Sequence, residues 1–129
     1  DATFRSVYLP IVRDEEPRAL AVFDFADSSA IIGQRESSHT ADQALYMLNN
    51  PFVIQQSRAM AERINRAYNN EADKVTMAFN LAYSRSPSKT ERMETERFLG
   101  NFTNASEAVA GLAAVCQSLF ASAEFRFVD

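Results

Sequence analysis

A chain of 129 residues that is 47% hydrophobic and 23% charged is long enough to bury a core of its own without disulfides or a structural metal. Its formal net charge of −4, with arginines scattered at Arg5, Arg13, Arg18, Arg35, Arg58, Arg63 and Arg66 and no dense basic run, argues against binding of a phosphate backbone. No apolar run approaches the roughly 18–20 residues of a membrane span, and one Cys with one His is too few for a zinc site.

The first 39 residues differ in kind from those that follow. Ser6-Val7-Tyr8-Leu9-Pro10-Ile11-Val12 is β-branched and aromatic, and Pro10 excludes a central strand position, so the segment reads as an extended arm or an edge strand. Pro17 opens a short helix through Val22, with Glu15 and Glu16 near its positive end. Phe23-Asp24-Phe25-Ala26-Asp27-Ser28-Ser29 is dense in turn-formers, and Gly33 punctuates again. A long irregular segment inside a compact domain is usually functional or docked on something.

From Thr40 the period is helical. Thr40 and Gln43 fit a capping box, Leu45 and Leu48 supply one apolar face, and Asn50-Pro51 ends this helix and starts the next. There Phe52, Gln56, Ala59, Met60, Arg63, Ile64 and Ala67 follow the three-and-four spacing of an amphipathic helix. Asn70 with Asp73 marks a third start, leading into Val75, Ala78, Phe79, Ala82 and Tyr83 on one stripe. Ser88 and Glu91 make a capping box for a fourth helix, whose inner face is Thr95, Phe98, Leu99 and Phe102. The last helix begins near Asn104 or Ser106 and puts Ala108, Leu112, Val115, Cys116, Leu119, Phe120 and Ala123 on one face. Phe125-Arg126-Phe127-Val128 alternates apolar and charged, which predicts an extended tail. Short joints favour antiparallel neighbours. The expected fold is all-α: a small bundle of about five helices with an irregular amino-terminal arm. As a single domain it divides into an arm over 1–39, a bundle over 40–124 and a tail over 125–129.

Candidate chemistry is sparse. Arg5, Arg13, Asp24, Asp27 and Arg35 bracket the turn-rich segment. They read either as a polar binding site, with carboxylates and an anion-orienting arginine, or as turn caps and local ion pairs. His39 precedes a helix cap and lacks the partners a metal ligand or general base needs, so it reads as a surface or capping residue. Cys116 lies on an apolar stripe and reads as core. No Gly-rich phosphate loop, paired-cysteine motif, haem attachment sequence or nucleophile elbow is present. The start at Asp1, without Met or a targeting pattern, reads as the boundary of a fragment of a larger protein.

Several words in order carry a family resemblance: Arg5-Ser6-Val7-Tyr8-Leu9-Pro10-Ile11-Val12-Arg13, Phe23-Asp24-Phe25-Ala26-Asp27, Gln43-Ala44-Leu45-Tyr46-Met47-Leu48-Asn49 with Pro51-Phe52-Val53, Tyr83-Ser84-Arg85-Ser86-Pro87, and the ending Ala123-Glu124-Phe125-Arg126-Phe127-Val128-Asp129. The chain resembles the planctomycete-specific carboxy-terminal domain of unknown function found in large multidomain bacterial proteins. The resemblance implies a bacterial source, an extracytoplasmic setting, and upstream domains of the same polypeptide as partners. It places any haem on an upstream cytochrome-c-like domain, with no cofactor in this one, and it carries no catalytic residues. The reading is a non-catalytic docking module without a metal or nucleic-acid partner. The alternative is a part-site at an inter-domain interface, for a saccharide or similar ligand, built from Arg5, Arg13, Asp24, Asp27, Arg35 and Gln43.

Overall fold

The computed structural model describes residue 8, residues 18–23 and residues 41–127. The helices are α1 (Arg18–Ala21), α2 (Ala41–Asn49), α3 (Pro51–Ala67), α4 (Glu71–Tyr83), α5 (Lys89–Leu99), α6 (Ala105–Ala121) and α7 (Ala123–Arg126). Among the described residues five helices run for nine residues or more, two are single turns, and there is no strand. The fold is all-α. The chain divides into two compact units, Asp1–Gln43 and Ala44–Asp129. The first holds α1, where Pro17 predicts a short helix, and the opening residues of α2. The rest of the expected arm lies outside the described residues.

In the second unit each long helix begins on a side chain that satisfies a free backbone N–H. Asn50 Oδ1 accepts from Phe52 N at 2.9 Å just ahead of Pro51, and Asn70 Oδ1 accepts from Ala72 N at 3.0 Å. Asn104 Oδ1 accepts from Glu107 N at 2.9 Å. Ser88 and Glu91 form the predicted reciprocal box: Ser88 Oγ accepts from Glu91 N at 3.2 Å, and Glu91 Oε2 accepts from Ser88 N at 2.7 Å. Each such cap stabilises by about 1 kcal/mol. Thr40, half of the box expected with Gln43, lies outside the described residues.

The two longest helices, α3 and α6, make the most extensive pairing, and α4 and α5 close the bundle beside them. Small buried side chains occur on both of these helices, Ser57 and Ala61 on α3 and Ala113 and Cys116 on α6, and small side chains admit close approach. Ile64, Val75, Phe79, Leu112 and Leu119 fill the space around them. Truncating one of these to Ala costs about 2–5 kcal/mol for an Ile or Leu. Ser57, a polar residue in this setting, donates its hydroxyl to Val53 O at 2.8 Å.

Four sequence expectations are corrected. The buried stripe of α3 is Val53, Ser57, Ala61 and Ile64, so Phe52, Gln56, Ala59, Arg63 and Ala67 lie on the exposed side. Both stripes keep helical spacing, and the back-bond of the Ser57 hydroxyl lets this small polar residue sit inside. In α2 the buried residues are Gln43 and Met47, spaced i, i+4, while Leu45 and Leu48 are exposed. The tail is not extended at Phe125 and Arg126: Ser122 Oγ accepts from Phe125 N at 3.1 Å and starts the single turn α7, so a cap overrides alternation. On α5, Leu99 is buried as expected, whereas Phe98 stays partly exposed and meets Phe102 edge-to-face with ring centres 5.2 Å apart. Along the stripes of α4 and α6, Val75, Ala78, Phe79, Leu112, Val115, Cys116 and Leu119 are buried as expected, whereas Ala123 lies beyond α6, in α7, and is exposed.

Gly111 admits the Phe102 ring: a Cβ there would sit 2.6 Å from two ring carbons. Gly→Ala in a helix interior ordinarily stabilises by about 1 kcal/mol, so the sign of the change tests this contact. Gly111→Ala is expected to destabilise by about 1–3 kcal/mol through displacement of the ring. In a Phe102→Ala background the same change is expected to stabilise. Urea unfolding followed by circular dichroism measures both.

Candidate functional site

Of the side chains singled out for a binding site, Arg5, Arg13, Asp24, Asp27 and Arg35 lie outside the described residues, as does His39. Gln43 is described and only 2% exposed, a buried residue of α2. Cys116 is fully buried, and burial pushes its thiol up to about 12, so it is a protonated core residue as its stripe predicts. Among the described residues no group of His, Cys, Asp and Glu is placed to hold a metal ion, and no helix is long and apolar enough to cross a membrane.

The electrostatic centre of the second unit is built where α4 ends. Ser84 takes a left-handed conformation (φ 58°, ψ 24°), and its N–H still bonds Asn80 O, so the chain turns sharply before Arg85. The Arg85 guanidinium then serves two carboxylates. Its Nε and Nη2 donate to Glu124 at 2.6 and 2.8 Å, and its Nη1 and Nη2 donate to Glu91 at 3.0 and 2.8 Å. The same group lies over the Tyr83 ring at 5.2 Å and the Phe79 ring at 5.7 Å. Beneath it Tyr83 Oη donates to Ser122 Oγ at 2.8 Å, and Ser122 Oγ donates to Leu119 O at 2.8 Å while capping α7. Arg85 thereby ties the α4–α5 turn, the start of α5 and the single turn α7 together.

The ionisation of this cluster is one-sided. Hydrogen bonds from Arg85, and then from the Ser88 N–H, hold the Glu91 carboxyl down at about 2. Arg85 likewise lowers Glu124, while hydrogen bonds to Glu124 and Glu91 raise the Arg85 guanidinium further. Burial raises the Tyr83 phenol, opposed by its bond to Ser122. A general acid near neutral pH needs a carboxyl shifted upward. Both carboxylates here are shifted down, so the arrangement clamps rather than transfers protons. Periodicity reads Glu91 only as a cap and gives Glu124, the last residue of the expected bundle, no role. Arg85 and Glu124 are 39 positions apart and leave no local signal. The available hint is that each lies in one of the words carrying the family resemblance.

The clamp has a structural consequence on the other side of α7. Phe125 packs on Phe120, with ring centres 4.9 Å apart. Together with Met60, Leu81, Ala59, Gln56 and Arg63 they line an open apolar groove of about 410 Å³. A shallower hollow adjoins it along α3, lined by Ala59, Arg63, Arg66 and Ala67. A third cavity, about 170 Å³, lies among Asn65, Asn69, Lys74, Leu99, Phe102 and Leu112, where Lys74 Nζ donates to Asn65 Oδ1 at 2.6 Å.

Compared with known families, residues 1–99 match the family described as PSD1: Protein of unknown function (DUF1553). The chain belongs to the PSD1 family. No curated protein and no solved structure matches it. The span shared with the PSD1 family runs through α5 and contains Arg85 and Glu91, while Glu124 and the Phe120–Phe125 wall of the groove follow it.

A carboxyl lowered in the folded state contributes stability above its ordinary value, near 4.5, and that contribution is lost as pH falls toward the folded value, about 2 for Glu91. Thermal unfolding of the natural chain is therefore expected to shift to lower temperature between those two pH values. Arg85→Met is expected to unfold at lower temperature than the natural chain at pH 7 and to show a shallower acid decline. Identical pH slopes for the two proteins would show that the clamp contributes nothing.

Proposed function

We propose that this PSD1-family chain is a non-catalytic docking module of a larger extracytoplasmic bacterial protein, seated on domains that precede it in the same polypeptide. The observation that carries this reading is the outward-facing apolar set at the α2–α3 corner. Leu45, Leu48 and Phe52 are 54%, 48% and 61% exposed. Full burial of one such side chain stabilises an interface by about 1.5–3 kcal/mol, and contiguous exposed apolar surface commonly marks an interaction site. The corner is also held in place, because Gln117 Nε2 on α6 donates to Leu48 O at 2.7 Å. A fixed apolar surface loses little entropy on association. The clamp carboxylates, both held ionised, support a structural rather than a proton-transferring role. In this reading the module takes no cofactor of its own, and haem belongs to a preceding cytochrome-c-like domain.

Mixing the chain with the separately produced preceding domains should give a complex measurable by titration calorimetry. Leu48→Asp with Phe52→Asp is expected to weaken that complex by about tenfold or more, with the circular dichroism spectrum unchanged because both side chains are at the surface. Absence of association under all conditions would sink the proposal.

A further inference from the structure

We infer that the groove beside α3 receives an acidic amphipathic helix carried by the preceding domains, with Arg63 as its charge-reading residue. This deepens the docking reading and rests on it. The exposed ridge of α3 runs through Phe52, Gln56, Ala59 and Arg63, a spacing of i, i+4, i+7 and i+11 that covers about 16 Å, or three helical turns. Beside the upper part of this ridge the groove floor is apolar, made by Met60, Leu81, Phe120 and Phe125, and Leu81 and Phe125 remain partly exposed.

The charged residues that line the groove and the adjoining hollow are both arginines. Arg63 lines both the groove and the adjoining hollow, and among the described residues its guanidinium has no side-chain hydrogen bond or ion pair. Arg66, beside it in the hollow, pairs with Glu62 at 3.7 Å between two largely exposed side chains. Such a pair is worth little and exchanges readily for a better partner. A chain of net charge −4 thus presents arginine where its surface is apolar. The complementary occupant has an apolar stripe for the floor and carboxylates on the flank that passes Arg63 and Arg66. An amphipathic helix supplies both at matching intervals of three and four residues. A basic helix would meet two guanidinium groups and be rejected.

The test uses the full chain and two synthetic peptides of about four helical turns. Both carry Leu at i, i+3, i+4 and i+7, one with Glu at the flanking positions and the other with Lys. Fluorescence anisotropy should show saturable binding of the Glu peptide, about tenfold or more tighter than the Lys peptide, and weakening as salt rises. Arg63→Glu is expected to reverse the preference. Phe125→Ala is expected to weaken the Glu peptide without reversing it. Equal binding of the two peptides, no binding of either, or a preference unchanged by Arg63→Glu would overturn the inference. So would binding to phosphatidylglycerol vesicles with none to the Glu peptide. The two readings fail separately. If the preceding domains associate and Arg63→Glu leaves their affinity unchanged, docking stands and the groove assignment falls. If the Glu peptide binds but the preceding domains do not, the docking reading falls, and with it the assignment of the helix to those domains, while the preference of the groove for an acidic helix stands.

Discussion

Arg85 offers a planar fork of donors, and two carboxylates from different parts of the chain share it. Glu91 brings the start of α5, and Glu124 brings the turn α7. A lysine could supply the charge but not the geometry, because an ammonium cannot align with two carboxylates in a plane while lying over an aromatic ring. Much downstream structure depends on this contact. Glu91 remains positioned to cap α5, Ser122 stays under Tyr83, and α7 is held so that Phe125 lies on Phe120. The cluster is partly exposed, so its energy is modest. Its main effect is to choose where a short carboxy-terminal turn sits.

The core beneath is organised by small residues as much as by large ones. Ser57 and Ala61 are the small buried residues of α3, the helix paired most extensively with α6, and Phe102 reaches over Gly111 of α6 from the loop after α5. Turning α3 to bury this small-residue stripe leaves its bulkier neighbours outside. Phe52 and Ala59 are therefore surface residues as a consequence of how α3 meets α6.

That consequence links packing to function. An apolar surface left by the packing of α3, a wall supplied by α7, and an arginine with no side-chain partner among the described residues meet along one helix. Membership of the PSD1 family places the chain among proteins defined by sequence rather than by a reaction. In the docking reading, recognition chemistry is carried by shape and charge along α3 and not by a catalytic constellation.

Local physics was legible from residues alone. The caps at Asn50, Asn70, Ser88 and Asn104, the stripes of α4 and α6, the burial of Cys116 and the all-α class all follow from chemistry within a few positions of each residue. A cap bonds its own first turn, and a strongly apolar stripe has one way to face. The orientation of α3 was not legible, because it has two stripes of acceptable spacing and only its pairing with α6 selects between them. Nor was the clamp, since nothing within a turn of Arg85 points to Glu124. The candidate residues of the amino-terminal arm were chosen by residue type, whereas the groove and its arginine arise from contacts among α3, α4, α6 and α7. Such a surface is the sum of distant segments, so it exists only once the chain has packed.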